Sequence, residues 1–270
     1  MGHELGIIGA GNMAEAIARS VIAAGVICKE EIVAADVSPA RRELFEKQIG
    51  ARAVEQNDQA VRGAKILLLS VKPQQMKDVL AGIARVVLDD VLIVSIAAGI
   101  SSSFIEKNLG SANLWRVVRA MPNTPMLMGK GMVALARGKH ASEQDLAAAR
   151  RIFEAGATVL ELDESKMDAV TAMSGSGPAY FFYLVEQMTR AGVKLGLSDS
   201  EARLLATRTC IGSAAMLERS SESPQDLRKK VTSPGGTTEA AIELMEDKQL
   251  GEIIVAAIRR AAERSRELGA

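Results

Sequence analysis

Along the chain, apolar positions fall into two successive patterns. In the first, short unbroken apolar runs alternate with longer stretches that place apolar residues at helical spacing. Residues 5–8 predict a short buried strand, followed by a glycine turn and a helix over 13–24 that ends at Gly25. Residues 32–35 predict a second strand closed by Asp36, and residues 39–49 a charged amphipathic helix with Pro39 in its first turn. Runs 66–71 and 91–96 predict two further strands with a helix over 74–87 between them, and 115–119 and 132–136 are weaker strand candidates. Strands alternating with helices predict β-α-β units, hence a parallel sheet covered by helices on both faces.

The pattern changes near residue 160. Beyond it no convincing strand follows, and 178–195, 199–219, 224–231, 237–247 and 250–268 all predict helices. The breaks fall at Gly196-Leu197-Ser198, at 220–223 and at Ser233-Pro234-Gly235-Gly236. The last helix carries a stripe of Ile253, Ile254, Ala257, Ile258, Ala261 and Ala262, which suits ordinary core and a subunit interface equally. The expected organisation is therefore α/β: a dinucleotide-binding domain over 1–160 and an all-helical domain over 161–270.

Composition narrows the function classes. Apolar residues make up 48% and aromatics only 3%, so the core must be aliphatic, as suits helices on a buried parallel sheet. Basic and acidic residues balance at 33 each, which gives no electrostatic case for nucleic acid or an anionic membrane surface. No apolar run approaches the ~18 residues of a membrane span, and the N-terminus lacks a signal-peptide layout. Cys28 and Cys210 lie too far apart for a metal or redox motif and read as small buried apolar residues or free thiols. These features lead us to expect a cytoplasmic protein. With His3 and His140 the only histidines, a His-rich metal centre is excluded; a mononuclear site using carboxylates stays open, but no clustered signature points to one and no metal is assigned.

The chemistry begins at Gly9-x-Gly11-x-x-Ala14, which follows a strand and opens a helix. Gly9 allows a tight turn, Gly11 lets backbone approach a pyrophosphate, and Ala14 permits close helix–strand packing. The first-turn amides and the helix dipole then face the anion. Asp36, at the end of the second strand, is placed to accept from a ribose 2′-hydroxyl, which favours NAD. Arg41 and Arg42 follow closely, and either could hold the 2′-phosphate of NADP, so both cofactors stay open. The loops Ser70-Val71-Lys72-Pro73 and Ile96-Ala97-Ala98-Gly99 follow later strands, where ligands of open parallel sheets bind. Lys72 is read equally well as a surface lysine.

Three further stretches exceed what a fold needs: Ala120-Met121-Pro122-Asn123-Thr124-Pro125, Ser174-Gly175-Ser176-Gly177-Pro178-Ala179-Tyr180, and Val231-Thr232-Ser233-Pro234-Gly235-Gly236-Thr237-Thr238. The second reads as a helix-entry turn, since no histidine pattern supports a nucleophile. The third precedes a helix and offers exposed amides and hydroxyls, a combination suited to a carboxylate.

In order and spacing, these stretches resemble pyrroline-5-carboxylate reductases over nearly the whole chain. The resemblance implies an N-terminal Rossmann-type parallel-sheet domain followed by an all-α C-terminal dimerisation domain. It implies a homodimer through the C-terminal helices, assembling further into rings such as decamers, with the active site between one subunit's cofactor domain and the partner's helical domain. It implies that NADPH or NADH is lined by Ile8, Gly9, Ala10, Gly11, Asn12, Met13, Asp36, Ser38, Asn57, Ser70, Val71, Lys72, Pro73, Ile96, Ala97 and Ala98. It implies that Ser233, Gly236, Thr237 and Thr238 hold 1-pyrroline-5-carboxylate, with Thr238 the catalytic residue at the ring nitrogen. Family members often carry a polar, non-acidic residue where Asp36 stands. The reaction implied is hydride transfer to the C=N carbon, giving L-proline. The alternatives are another imine reductase or a 2-hydroxyacid reductase on the same scaffold, Lys166 lying close to where related hydroxyacid enzymes use a lysine, and a non-catalytic dinucleotide-binding protein.

Overall fold

The computed structural model describes residues 2–110 and 114–269; Met1 and Ala270, the outer ends of the two expected domains, lie outside the described residues. Eight strands, β1 (His3–Ile8), β2 (Ile32–Ala35), β3 (Arg52–Val54), β4 (Ala64–Leu69), β5 (Leu92–Ser95), β6 (Arg116–Met121), β7 (Gly131–Arg137) and β8 (Ala157–Glu161), form one sheet. Its order is β3-β2-β1-β4-β5-β6-β7-β8, and every neighbouring pair is parallel except β6 with β7. Six helices accompany it: α1 (Asn12–Ala23), α2 (Pro39–Leu44), α3 (Asn57–Val61), α4 (Met76–Ile83), α5 (Ser102–Leu109) and α6 (Glu143–Glu154).

The central strands are mostly apolar because both faces are covered. Successive side chains point to opposite faces, and the core divides accordingly. Leu5, Ile7, Ile66, Leu68, Leu92 and Val94 join Ile17 and Val21 of α1 and Leu146 and Phe153 of α6. Ile8, Leu67, Leu69 and Ile93 join Leu80 of α4 and Ile105 of α5 on the other side. The central strands are thus held by two aliphatic layers, and their C-terminal ends are fixed as a rigid crest.

The structure adds strands that the apolar pattern does not announce. β3 is three residues long and β8 alternates exposed and half-buried positions; each is the outermost strand of the sheet. An edge strand is covered less completely, so its sequence carries less apolar signal.

Beyond the sheet the chain is helical: α7 (Met167–Val170), α8 (Gly177–Lys194), α9 (Asp199–Arg219), α10 (Pro224–Lys230), α11 (Thr237–Asp247) and α12 (Leu250–Gly269). α7 widens into a π-helical turn over Thr171–Gly175 before α8 starts at Gly177, so the Ser-Gly-Ser-Gly-Pro stretch is a helix-to-helix junction. No helix among the described residues is long and apolar enough to cross a membrane. Two compact units result: Met1–Ser176 with Ala261–Ala270, and Gly177–Arg260. The apolar stripe of α12 is not core within one chain, since Ile253, Ile254 and Ala257 are exposed and Ile258, Ala261 and Ala262 only half-buried. Cys28 is exposed and Cys210 half-buried; both are free thiols rather than buried packing residues.

Candidate functional site

The crest of the sheet is built by backbone. Gly9 donates its amide to the Ala35 carbonyl (2.9 Å), Ser70 donates to Ile8 (2.8 Å) and Ile96 to Leu69 (3.1 Å), so the turns after β1, β4 and β5 continue the ladder. Gly9 has φ +91°, and a Cβ there would lie 2.6 Å from the Ser70 carbonyl oxygen. Only glycine fits both demands. Gly11 differs: its φ is −72°, any residue can adopt it, and nothing lies within 4 Å of where a Cβ would be. That space adjoins the start of α1, which Gly11 caps without a side chain. Unsatisfied first-turn amides beside open space are what a pyrophosphate needs.

The turn is clamped from the β2 side. Asp36 accepts from the Ala10 amide through Oδ2 and from the Ser38 amide through Oδ1, both at 2.8 Å. Arg41 donates from Nε to the Ala10 carbonyl and pairs with Glu15 at 3.0 Å. Arg42 donates to the carbonyls of Asp36 (2.8 Å) and Val37 (3.0 Å) and reaches Glu55 at 3.5 Å. Both arginines are therefore engaged within the chain. The Asp36 carboxylate keeps lone pairs beyond the two that accept from the Ala10 and Ser38 amides.

On the other side of the glycine turn lies a cavity of about 360 Å³. It brings together Gly11, Asn12, Met13, Ser70, Val71, Lys72, Pro73, Ile96, Ala97 and Ala98. Ile8, Gly9 and Ala10 form the strand end and turn beneath it, Asp36 and Ser38 close the β2 side, and Asn57 opens α3. The cavity also takes in Met121, Pro122, Asn123, Thr124 and Gly175. The motif density at 120–125 flagged the first four without assigning them a role. Asn123 is the hinge of that wall, donating to the Ser174 carbonyl at 3.0 Å and accepting from the Met132 amide at 2.9 Å. Lys72 is the single titratable side chain among the lining residues. Lys166 is exposed in a short turn and does not line the cavity.

The Ser233–Thr238 stretch belongs to the other compact unit, where Gly236 caps α11 without a side-chain bond. The Ser233 carbonyl accepts from the Gly236 amide at 2.9 Å, which curls the loop. A carboxylate already sits on it: Glu239 accepts from the Gly235 amide at 2.6 Å. Ser233 and Thr237 are exposed, and Gly236 and Thr238 half-buried.

Comparison with known proteins assigns the chain. Residues 164–268 match the family described as pyrroline-5-carboxylate reductase dimerisation, and residues 4–99 match the family described as NADP oxidoreductase, coenzyme F420-dependent. A pyrroline-5-carboxylate reductase of Synechocystis sp. is 41% identical over 269 residues, covering 100% of this chain and 99% of its own. One from Pseudomonas aeruginosa is 42% identical, covering 98% and 96%. The chain belongs to the pyrroline-5-carboxylate reductase family. Two solved members share its fold over the full length: the Coxiella burnetii protein (34% identity, TM-score 0.88, covering 100% of both chains) and the Plasmodium falciparum protein with NADP bound (31%, TM-score 0.90, covering 99% and 98%). It is an NAD(P)-dependent oxidoreductase of this family, and the space over Gly11 and the uncapped start of α1 fit that cofactor's pyrophosphate.

The two glycines of the turn give a paired prediction. Gly11→Val leaves thermal stability within a few degrees, because its backbone is ordinary and its surroundings open, yet lowers NAD(P)H affinity at least ten-fold by filling the pyrophosphate space. Gly9→Val destabilises the protein itself, by about 1–3 kcal/mol for the backbone conformation alone. Thermal melts beside fluorescence titration of NADH and NADPH check both. Retention of tight binding by Gly11→Val rules out this placement of the pyrophosphate.

Proposed function

We propose that the protein reduces 1-pyrroline-5-carboxylate to L-proline with NADH or NADPH, the last step of proline biosynthesis, and does so in the cytoplasm. The observation that carries the reading is the coexistence of a clamped glycine turn at the start of α1 with a loop whose Gly235 amide donates to a carboxylate, that of Glu239. Bound at the turn, NAD(P)H supplies the hydride. The chain's residues do the rest. The amides at Gly11–Met13 hold the pyrophosphate, and Asp36 accepts from the adenosine ribose beside Ser38 and Asn57. Ser70, Val71, Lys72, Pro73, Ile96, Ala97 and Ala98 wall the nicotinamide half and exclude water. Ser233, Gly236 and Thr237 anchor the substrate carboxylate, and Thr238 hydrogen-bonds the ring nitrogen. A cyclic imine can arrive protonated, so a cavity walled by one lysine and otherwise neutral groups suffices: the protein supplies orientation and the cofactor the chemistry.

Initial rates of pyrroline-5-carboxylate reduction with NADH and NADPH in parallel test the reading; cofactor binding with no imine-dependent oxidation would leave a non-catalytic binder in its place. Thr238→Ala is expected to lower kcat on the order of ten- to a hundred-fold with cofactor affinity retained, as for removal of a donor that serves the transition state. Ser233→Ala is expected to raise KM roughly ten-fold with kcat held, since a contact present throughout the reaction contributes uniform binding. A wild-type kcat in the first, or a wild-type KM in the second, removes the role assigned.

Asp36 governs cofactor preference in this reading. Asp36→Ser loosens the Ala10 turn for both cofactors alike but removes a negative charge that opposes a 2′-phosphate. The ratio of kcat/KM for NADPH over NADH should rise about ten-fold or more; an unchanged ratio places the discrimination elsewhere.

The helical region is oligomerising, and we assign its assembly to a homodimer through the C-terminal helices, extended to a decamer. α8 and α9 flank a groove of about 900 Å³ whose apolar lining includes Phe181, Phe182, Val185, Val193 and Ile211, and Phe181, Phe182 and Ile211 are each more than half exposed within one chain. Light scattering should give a mass that is a multiple of two chains, and Phe182→Glu should lower it; a single-chain mass for the wild type would exclude the assignment.

A further inference from the structure

α12 has one buried residue, Ser265, at 2% exposure. This is an unusual place for a serine, and its surroundings account for it. Its hydroxyl donates to Asp168 Oδ1 at 2.6 Å. Its carbonyl lies against Gly99, where φ is +77° and a Cβ would overlap that carbonyl oxygen. Gly269, one turn on, is equally tight against the Gly99 carbonyl. One residue therefore meets the Asp168 side chain and the Gly99 backbone, two sites far apart in sequence.

Both segments lead into the cavity. Gly99 ends the Ile96-Ala97-Ala98 turn, which lines it directly. Asp168 lies in α7, which runs without a break into the π-helical turn Thr171–Gly175. Gly175 lines the cavity, and the Ser174 carbonyl holds Asn123, another lining residue. The π-turn is tied back to α7 by Thr171 Oγ1 to the Met167 carbonyl (2.8 Å) and Ser174 Oγ to the Val170 carbonyl (3.1 Å). A shift of α7 is thus passed to Gly175. In the sheet order, β2 with Asp36 lies on one side of β1, and β4, β5 and β6 on the other. The segments joined by Ser265 consequently wall the half of the site away from the adenosine ribose, where hydride leaves.

We propose that Ser265 is a positioning residue: it fixes the Ile96–Gly99 turn and the α7–Gly175 segment relative to each other, and so sets the walls against which the nicotinamide lies. It acts through those segments and touches no reacting atom. The inference rests on the reductase reading above. Displacement of a reacting group by about 1 Å can cost up to a hundred-fold in rate, whereas affinity is set largely by the pyrophosphate and ribose contacts, which Ser265 does not reach.

The test uses the full-length protein and the variants Ser265→Ala, Asp168→Ala, Asp168→Asn and the double alanine variant. Measured for each are kcat, the deuterium isotope effect on kcat with cofactor deuterated at the transferred position, NADH Kd by fluorescence, and Tm. Expected for Ser265→Ala and Asp168→Ala is a fall in kcat on the order of ten-fold with a larger isotope effect, NADH Kd within about three-fold of wild type, and Tm within a few degrees. Asp168→Asn, which keeps an acceptor, should restore most of kcat. The double variant should cost no more than the worse single one, as for partners in one interaction. An unchanged kcat in Ser265→Ala overturns the proposal. So does a loss of kcat that tracks Tm with an unchanged isotope effect, which marks a merely structural serine. A wild-type protein that binds NADH but reduces no imine overturns the reductase reading and the proposal with it, an outcome distinct from an active wild type with an indifferent Ser265.

Discussion

The two hydrogen bonds on the peptide groups of Ala10 hold the site in shape. Its amide goes to the Asp36 carboxylate and its carbonyl to the Arg41 guanidinium. Gly9, one residue earlier, is wedged against the Ser70 carbonyl in a conformation other residues rarely adopt. One turn therefore registers the ends of β1, β2 and β4 with the starts of α1 and α2. Leaving a buried amide or carbonyl without a partner costs about 1–3 kcal/mol, so the clamp is a substantial part of what holds the turn. Its contacts are all made by the chain's own side chains. A turn formed in advance loses little conformational freedom when a dinucleotide arrives, and more of the contact energy appears as affinity.

The same clamp explains why sequence alone left the cofactor open. Asp36, Arg41 and Arg42 are all near the end of β2, and spacing offers each of them to a ribose or its phosphate. Only the three-dimensional contacts show that the arginines are spent on Ala10, Glu15 and the Asp36 and Val37 carbonyls. The central strands were legible because burial on both faces demands unbroken apolar runs, as at Leu67-Leu68-Leu69 and Leu92-Ile93-Val94. β3 and β8 were not, because edge positions tolerate Arg52, Thr158 and Glu161. Met121–Thr124 stood out as a motif, but its place in the wall depends on Asn123 bonding to Ser174, a contact across 51 positions that no local pattern encodes.

The character of the cavity constrains the chemistry as much as its shape does. Its walls are backbone, small apolar side chains and amide or hydroxyl groups, with Lys72 the sole charge. Such a lining offers no carboxylate, histidine or cysteine. It can exclude water and fix the approach of two reactants, which by itself is worth several kcal/mol when the reacting atoms are held close to their transition-state geometry. Hydride transfer to an imine that carries its own proton is a reaction for which that is sufficient.

Aromatic usage points to what the helical unit is for. The chain has five phenylalanines, two tyrosines and one tryptophan, and α8 places both tyrosines and two of the phenylalanines consecutively, at Tyr180, Phe181, Phe182 and Tyr183. Phe181, Phe182 and Tyr183 are 59%, 68% and 63% exposed within one chain. A core short of aromatics would have drawn them inward if packing a single chain were the only demand. Full burial of each such side chain is worth about 1.5–3 kcal/mol, and aromatics are enriched where interfaces are formed. Ile253 and Ile254 of α12 and Leu204 and Ile211 of α9 extend the apolar surface over further helices. A surface this extensive leaves the helical unit incompletely buried on its own. That exposure fits the dimerisation family that residues 164–268 match.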